Sequence, residues 1–279
     1  MSIKEKIQDL ENKIKIEIDN IFNNQENYLE FLKIRSFLTI DNIENAVLLY
    51  GQNKDINLIN TSQSFFKSNI PVRVNEKGYN QLINVERKYI NRDGIEIPLK
   101  QASKDEWNKI RQGDLEVITK KEKSITKVFD IKQTICSEKM TDTILNKTKV
   151  CYDKNLLKDA LYSFMQTKQY NLDFKLNSCD MINQLVNGEN ENLKIVQNTT
   201  VVLICNYYGI EVNEDIKKNI IVELEQLKEN TNRSETLEIL KQSDKDYMML
   251  KKEIDNSIIP FINTIEKSRK EINREEYER

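Results

Sequence analysis

The sequence predicts an α+β fold, with N-terminal helices and a small, mostly antiparallel sheet followed by a mainly helical region. Residues 3–22 repeat apolar side chains at spacings of three and four, which is typical of a helix. Between residues 56 and 134 the pattern changes to short apolar runs broken by turn signals, which indicates strands. Beyond residue 150 the strand pattern fades and helical periodicity returns.

Three helices are predicted at the N-terminus. The first covers residues 3–22, and its apolar stripe consists of Ile3, Ile7, Leu10, Ile14 and Ile18. The second covers residues 28–34. The third covers residues 42–52, and Asp41 is a good candidate for its N-cap because a short acceptor side chain can bind a free helical N–H.

The segment after these helices predicts a sheet. Its short apolar runs are residues 70–72, 89–90, 95–98, 116–118 and 127–131. Asp93 and Gly94 lie between two of these runs and predict a hairpin turn. Residues 103–113, which contain Trp107, interrupt the strand pattern and are interpreted as a helical insertion or a lid.

A polar, charged stretch at residues 137–150 predicts a linker between two domains, residues 1–136 and 151–279. In the second domain the helical segments are residues 155–167, 179–187, 197–208, 214–229, 234–243 and 244–270. Gly209 is placed to end one of these helices. Pro260 is expected to kink or interrupt the last one.

Composition narrows the class of protein. The chain has 279 residues, of which 38% are hydrophobic and 32% charged, so it can build a core and does not resemble a disordered protein. No run approaches the roughly 18 apolar residues of a membrane helix, and the charged start lacks a signal peptide's apolar core. We therefore expect a cytoplasmic protein without membrane contact. Four widely spaced cysteines predict free thiols: Cys136, Cys151, Cys179 and Cys205.

Charge is distributed unevenly along the chain. Residues 51–135 contain 16 basic and 11 acidic side chains, whereas acidic residues predominate on both sides of this segment. Basic residues interleaved with aromatic ones are typical of single-stranded nucleic-acid binding. The candidate DNA contacts are Lys67, Arg73, Lys77, Tyr79, Arg87, Lys88, Lys120, Lys121 and Lys123. Arg73 and Lys77 are the first choices for phosphate, and Tyr79 for base stacking. Without further evidence, solvated lysines and core aromatics would explain the same pattern.

Three segments carry a resemblance to a known family: residues 45–52, 65–78 and 128–134. In order and spacing they resemble the N-terminal single-stranded-DNA-binding domain of the ArdC and LtrC group, antirestriction and conjugation-associated proteins of mobile elements. Phe65 stands where that family usually has Trp. Asn69 and Asn75 occupy its glycine positions, and because Asn tolerates positive φ, both turns are expected to persist.

The same family resemblance implies a zincin-like second domain, in which an H-E-x-x-H helix and a later acidic residue bind zinc. Here Asn183, Gln184 and Asn187 fall on the motif and Asn198 on the acidic position. An amide has neither the imidazole nitrogen that binds zinc nor the carboxylate that acts as a base. The resemblance thus implies a degenerate pseudo-metallopeptidase without metal or other cofactor, its four amides forming a buried cluster. The alternative is an unrelated helix with ordinary polar residues.

Other enzyme classes find little support. The chain contains no histidine, which excludes Ser-His-Asp and Cys-His arrangements, and it has neither a P-loop nor a G-x-G-x-x-G motif. A metal-dependent nuclease that uses carboxylates alone remains open.

The predicted function is a non-catalytic accessory protein of a mobile element that binds single-stranded DNA. It would coat transferred strands, or hold a conjugation, replication or host-defence protein in the former peptidase cleft. The alternative is a protein-interaction module, an inhibitor or adaptor, that does not bind DNA.

Overall fold

The computed structural model describes residues 2–40, 42–148, 152–170, 176–189, 193–230 and 233–277, and their fold is α+β, as predicted. The helices are α1 (Ile3–Asn23), α2 (Gln25–Phe37), α3 (Ile43–Gln52), α4 (Ser62–Lys67), α5 (Lys104–Gln112), α6 (Glu138–Thr148), α7 (Lys154–Thr167), α8 (Ser178–Glu189), α9 (Lys194–Tyr208), α10 (Glu214–Asn230) and α11 (Arg233–Tyr277). The strands are β1 (Ile59–Asn60), β2 (Tyr79–Arg92), β3 (Ile95–Pro98) and β4 (Ile118–Asp130). They form an antiparallel sheet in the order β1-β4-β2-β3.

The three predicted N-terminal helices are confirmed. A capping box starts α1, in which the Ser2 hydroxyl accepts the Glu5 N–H at 3.2 Å and the Glu5 carboxylate accepts the Ser2 N–H at 2.7 Å. Helix α2 is longer than predicted at both ends. Asp41, the expected cap of α3, lies outside the described residues, and the side chain of Asn42 accepts the Glu44 N–H at 2.8 Å.

Strands β2 and β4 form a long ribbon that the sequence predicts only in pieces. They pair from Tyr79 opposite Val128 to Tyr89 opposite Ile118. The prediction of short strands around residues 89–90 and 116–118 is wrong in length, because polar side chains occupy both faces of the ribbon and hide the period-two signal. Residues 70–72 form no strand but a single bridge from Val72 to Thr134.

Both predicted features next to the ribbon are confirmed. Asp93 and Gly94 have φ values of 54° and 83° and form the two-residue turn between β2 and β3. The segment that contains Trp107 is helix α5, which begins at a Ser103 capping box and ends at Gly113 with φ 86°. Glycine suits this end because a positive φ strains other residues.

One apolar core connects the N-terminal helices to those that follow α6. Helix α2 packs against α9, and the Tyr28 hydroxyl and Thr199 Oγ1, both buried, are 2.7 Å apart. The predicted linker contains helix α6, whose Thr141 is buried. At the start of this helix the Ser137 hydroxyl accepts the Met140 N–H at 3.3 Å, and the Ser137 carbonyl accepts the Thr141 N–H at 2.8 Å. The division into residues 1–136 and 151–279 stays a prediction, and the buried contacts cross it.

The C-terminal helices follow the predicted order with one correction. A break between residues 243 and 244 is wrong, because α11 is continuous there. Ser243 donates to the Ile239 carbonyl at 2.8 Å instead of capping a new helix, and Asp244 pairs with Arg35. Pro260 lies inside α11 without ending it, and Gly209 ends α9 with φ 65°, as predicted.

Three of the four cysteines lie in the described part of the chain. Cys136 is half-buried, Cys179 and Cys205 are buried, and all three are free thiols, as predicted. Cys151 lies outside the described residues. None of the helices described is long and apolar enough to cross a membrane.

Candidate functional site

Two amides from residues 45–52 bind the edge of the ribbon. The Asn45 side chain accepts the Leu82 N–H at 2.8 Å and donates to the Leu82 carbonyl at 2.7 Å. Gln52 does the same with the Asn80 N–H and carbonyl, both at 2.9 Å. Residues seven apart lie on one helical face, two turns from each other. Helix α3 therefore satisfies alternate backbone groups of β2 as a neighbouring strand would.

Residues 128–134 also form internal hydrogen bonds. The Asp130 carboxylate accepts the N–H groups of Asn57 at 2.6 Å and Lys132 at 2.8 Å, and burial raises its pKa. The Gln133 side chain accepts the Asp130 N–H at 2.9 Å and donates to the Lys77 carbonyl at 3.0 Å. These bonds hold the loop before β2 against the end of β4. Asp130 and Gln133, two polar residues of the segment that resembles the family, thus have structural roles here.

The loop between α4 and β2 has the two turns expected from its asparagines. Asn69 and Asn75 have φ values of 59° and 69°, which confirms the prediction that both turns persist with asparagine at positive φ. Arg73 lies between them, and its guanidinium binds Glu76 at 2.7 Å and the Lys132 carbonyl at 2.8 Å. The Arg73 contact lowers the pKa of Glu76. Because Arg73 is already engaged, a phosphate would have to compete with a carboxylate for it.

Exposed apolar side chains accompany the lysines of this segment. We call α4, the loop to Lys77 and the adjoining turn at residues 131–135 the 65–77 surface. Its strongly exposed apolar residues are Phe66, Val74 and Ile135, at 69%, 88% and 62%. Its exposed lysines are Lys67, Lys77 and Lys132. An aromatic ring in water beside cations is the arrangement that single-stranded nucleic acid binds.

Phe66 and Tyr79 differ in their availability for stacking. Tyr79, the predicted stacking residue, packs against the core, and its hydroxyl accepts a hydrogen bond from Asn53 at 2.8 Å. Phe66 is one of the aromatic residues interleaved with the basic ones in the sequence, but it is not among the residues predicted to contact DNA. The pair Phe65 and Phe66 is the sequence signal that could have identified it. Consecutive residues of a helix point about 100° apart, so that one ring of the pair can be exposed when the other is buried. Here Phe65 is buried and Phe66 is exposed.

The predicted contacts on the ribbon divide between its two faces. Residues opposite each other in an antiparallel pair share a face, and successive residues alternate. Arg87 is opposite Lys120, so both lie on one face. The other face carries Lys88, Lys121 and Lys123.

Acidic neighbours neutralise only some of these cations. Arg87 is 3.4 Å from Glu122, Lys120 is 2.5 Å from Glu96, and Lys123 pairs with Glu11 of α1. Lys88 and Lys121 are exposed, and neither takes part in an ion pair within the described part of the chain. Among the predicted contacts on the ribbon, these two lysines are therefore the most available cations.

The structure brings together three of the four predicted amides of the degenerate site. Asn187 donates to the Asn183 side chain at 2.9 Å. Both line a shallow depression with Gln184 and Tyr170. Two amides four residues apart lie on one face of α8, as predicted.

Asn198 has a different environment. It is buried on α9, and its side-chain nitrogen lies 3.2 Å from both carboxylate oxygens of Glu223 on α10. The expected buried cluster of four amides is therefore wrong, because the bond between Asn183 and Asn187 is exposed and Asn198 turns toward another helix. Glu223 is half-buried, and burial raises its pKa although the Asn198 bond opposes the shift. Among the described residues, no three His, Cys, Asp or Glu side chains are placed to hold a metal ion.

Comparisons with known proteins give limited information. No family model matches the chain, and no curated protein matches it. A crystal structure of the antirestriction protein ArdC from plasmid R388, in a metal-free form, is 12% identical to this chain with a TM-score of 0.37. The alignment covers 77% of this chain and 84% of that one. These values are too low to establish a shared fold or a shared function.

Proposed function

We propose that this chain is a non-catalytic accessory protein of a mobile genetic element that binds single-stranded DNA through the 65–77 surface and the β2–β4 ribbon. The observation that carries the proposal is Phe66, which is 69% exposed next to an exposed lysine, Lys67. Phe66 shares this surface with the exposed Val74 and Ile135, and a group of exposed apolar side chains with polar residues around it is typical of an interaction site. A base stacked on such a ring contributes about 1 to 3 kcal/mol.

The ribbon extends the proposed interface. Lys88 and Lys121 are exposed, form no ion pair within the described region, and share one face of the ribbon, where Glu86 lies opposite Lys121. Phosphates contacted by lysine release counterions, which favours association and makes it dependent on salt. The single strand of DNA would stack one base on Phe66, and its phosphates would contact Lys67, Lys77 and this face of the ribbon.

The non-catalytic part of the proposal is supported by side-chain chemistry. Asn183 and Asn187 bind each other, and an amide can neither deprotonate water nor replace imidazole at zinc. A zincin-like origin of α8 and α9 belongs to the proposal, and so does the link to conjugation or antirestriction. Both rest on the motif resemblance of residues 45–52, 65–78 and 128–134 and of the α8 amides.

A fluorescence anisotropy titration tests the proposal. Labelled single-stranded and double-stranded oligonucleotides of one sequence are titrated with the protein at several salt concentrations. We expect preference for the single strand, and a log affinity that falls against log salt with a slope of about −0.7 per phosphate contacted. No binding at low salt would overturn the proposal and favour the interaction module.

Metal analysis tests the pseudoenzyme separately. Protein purified without chelator is expected to contain no stoichiometric zinc. One zinc per chain would show that the amides of α8 have been misinterpreted, whatever the result with DNA.

A further inference from the structure

Helix α5 is attached to the ribbon at the end opposite the 65–77 surface. Its capping box consists of the Ser103 hydroxyl, which accepts the Glu106 N–H at 3.3 Å, and the Glu106 carboxylate, which accepts the Ser103 N–H at 2.6 Å. The same carboxylate accepts two bonds from the Arg92 guanidinium of β2, both at 2.7 Å. The Arg92 contact lowers the pKa of Glu106 to about 2, so the carboxylate stays ionised in mild acid as well as at neutral pH. These bonds fix the start of α5 to the end of β2.

The bond to Arg92 places α5 on the side of the ribbon that carries Lys88 and Lys121. Successive residues of a strand point to opposite faces, so Arg92 and Lys88, which are four residues apart, share one face. Ile95 of β3 is opposite Arg92 and lies on the same face, where it is 67% exposed. Helix α5 and the two available lysines therefore lie on one side of the ribbon.

Trp107 is the exposed aromatic residue of α5, with 38% of its surface in solvent. Residues three and four apart share a helical face, so the neighbours of this indole along α5 are Ser103, Lys104, Ile110 and Arg111. None of them is acidic. Lys104 and Arg111 are exposed, and neither takes part in an ion pair among the residues that the structure describes. An aromatic ring flanked by cations combines the two parts that bind single-stranded nucleic acid, a stacking surface for a base and charges for phosphates.

We propose that Trp107 is a second base-stacking residue, which holds the same strand of DNA at the other end of the ribbon from Phe66. This inference rests on the proposed function and specifies how far its interface extends. From Tyr79 to Tyr89, β2 spans ten residue steps, about 33 Å at the usual rise of a strand. The DNA would stack one base at each end of this length, and Lys88 and Lys121 would bind phosphates between the two bases.

The fluorescence of the unaltered chain tests the inference directly, because Trp107 is its only tryptophan. A base stacked on the indole quenches its emission. We expect the emission to fall during titration with a single-stranded oligonucleotide, with the same midpoint as the anisotropy titration. A tryptophan that serves only the fold would keep its emission.

The two titrations separate this inference from the proposed function. Binding in the anisotropy titration with unchanged emission would overturn the role of Trp107 and leave DNA binding in place. Absence of binding in both titrations would overturn both.

Substitution at Trp107 provides a second measurement. Trp107→Ala should lower single-strand affinity about 5- to 150-fold, the equivalent of one stacked base. Trp107→Phe should retain most of the affinity, because its ring can still stack. The matched control is Met248→Ala on α11, where the apolar side chain is 37% exposed, and it should bind as the unaltered chain does.

Undiminished affinity in Trp107→Ala would also overturn the inference, and so would equal losses in Trp107→Ala and Trp107→Phe. If Trp107→Ala does not fold, as judged by circular dichroism, the emission of the unaltered chain decides alone, because that measurement requires no substitution.

Discussion

Arg35 on α2 and Asp244 on α11 form a buried ion pair, with Nε and Oδ1 2.7 Å apart. Arg35 is fully buried and also donates to the carbonyls of Leu38 at 2.9 Å and Ile40 at 3.0 Å. Its guanidinium lies over the Tyr247 ring, 5.8 Å from the centroid. The pair therefore connects an N-terminal helix to the last helix through the core, across the predicted boundary between domains.

Removing one partner of this pair should strongly destabilise the whole chain. Asp244→Asn leaves the Arg35 charge buried without a counter-ion, and such changes typically lower the free energy of unfolding by about 3 to 5 kcal/mol. Urea denaturation followed by circular dichroism measures the change. The control Lys13→Gln breaks an exposed pair with Asp9 and should change stability by no more than about 0.5 kcal/mol. A loss for Asp244→Asn as small as the control's would contradict this account.

The amides of α3 should contribute to stability through the backbone of β2. Asn45→Ala leaves the Leu82 N–H and carbonyl without their partner, which should lower the free energy of unfolding by about 1 to 3 kcal/mol. The control Asn12→Ala, on the exposed face of α1, gains the same helix propensity but removes only a surface bond of 3.4 Å from Gln8. Equal stability of the two variants in urea would show that the pairing with β2 is unimportant.

The half-buried carboxyl of Glu223 should make stability depend on pH. Its pKa is raised in the folded chain, so the folded state holds its proton more tightly than the unfolded state. The contribution of this group to the free energy of unfolding is then fully present below the unfolded pKa of about 4.5. It is lost as the pH rises from there through the folded pKa. Glu223→Gln should flatten this decline and raise stability at neutral pH, since an amide can still accept from Asn198. Urea midpoints measured across this pH range test it. The control Glu225→Gln, on the exposed side of α10, should change neither the decline with pH nor the stability at neutral pH. A Glu223→Gln variant that is less stable than the unaltered chain at neutral pH would refute the expectation.

Phe66 should contribute to DNA affinity without contributing to the fold. Phe66→Ala removes a ring that is 69% exposed, so unfolding should change little, while single-strand affinity should fall about 5- to 150-fold, the equivalent of one stacked base. The matched control is Ile16→Ala on α1, an apolar side chain that is 57% exposed. Anisotropy titration of both variants gives the comparison. Undiminished affinity in Phe66→Ala would remove the ring from the interface.

The two faces of the ribbon should contribute differently to phosphate binding. Replacing Lys88 and Lys121 together by Gln should reduce the salt slope by about 0.7 for each phosphate that the variant no longer binds. The matched double variant at Arg87 and Lys120 should have a smaller effect, because Glu122 and Glu96 already neutralise those cations. The salt dependence of affinity for one oligonucleotide separates the variants. A larger effect from the Arg87 and Lys120 variant would place the DNA on the opposite face of the ribbon.

Local patterns are sufficient to predict the helices and part of the sheet. The stripe of α1 and the glycine that ends α9 depend on neighbours three or four residues away, which a sequence shows directly. The ribbon is only partly predictable, because the polar residues of β2 are held by pairing with a distant strand and not by an alternating apolar face. Likewise, no local pattern near Ser243 indicates that the helix continues through Asp244, because Asp244 pairs with Arg35, which is distant in the sequence.

The candidate sites show the same limit. Helical spacing places Asn183 and Asn187 together, and the structure agrees. The orientation of Asn198 depends on how α9 is rotated against α10. This rotation cannot be read from the sequence of α9 alone. For the basic region, the sequence identifies the lysines but not the pairing that divides them between two faces of the ribbon.

The hydrogen bonds of Asn45 and Gln52 have a consequence for self-association. A strand with free backbone groups along one side is a template onto which another chain can add, and repetition of that step leads to aggregates. At Asn80 and Leu82 these groups are already occupied by side chains from α3. The helix thus protects this stretch of β2 from intermolecular strand addition, and loss of both amides would expose it.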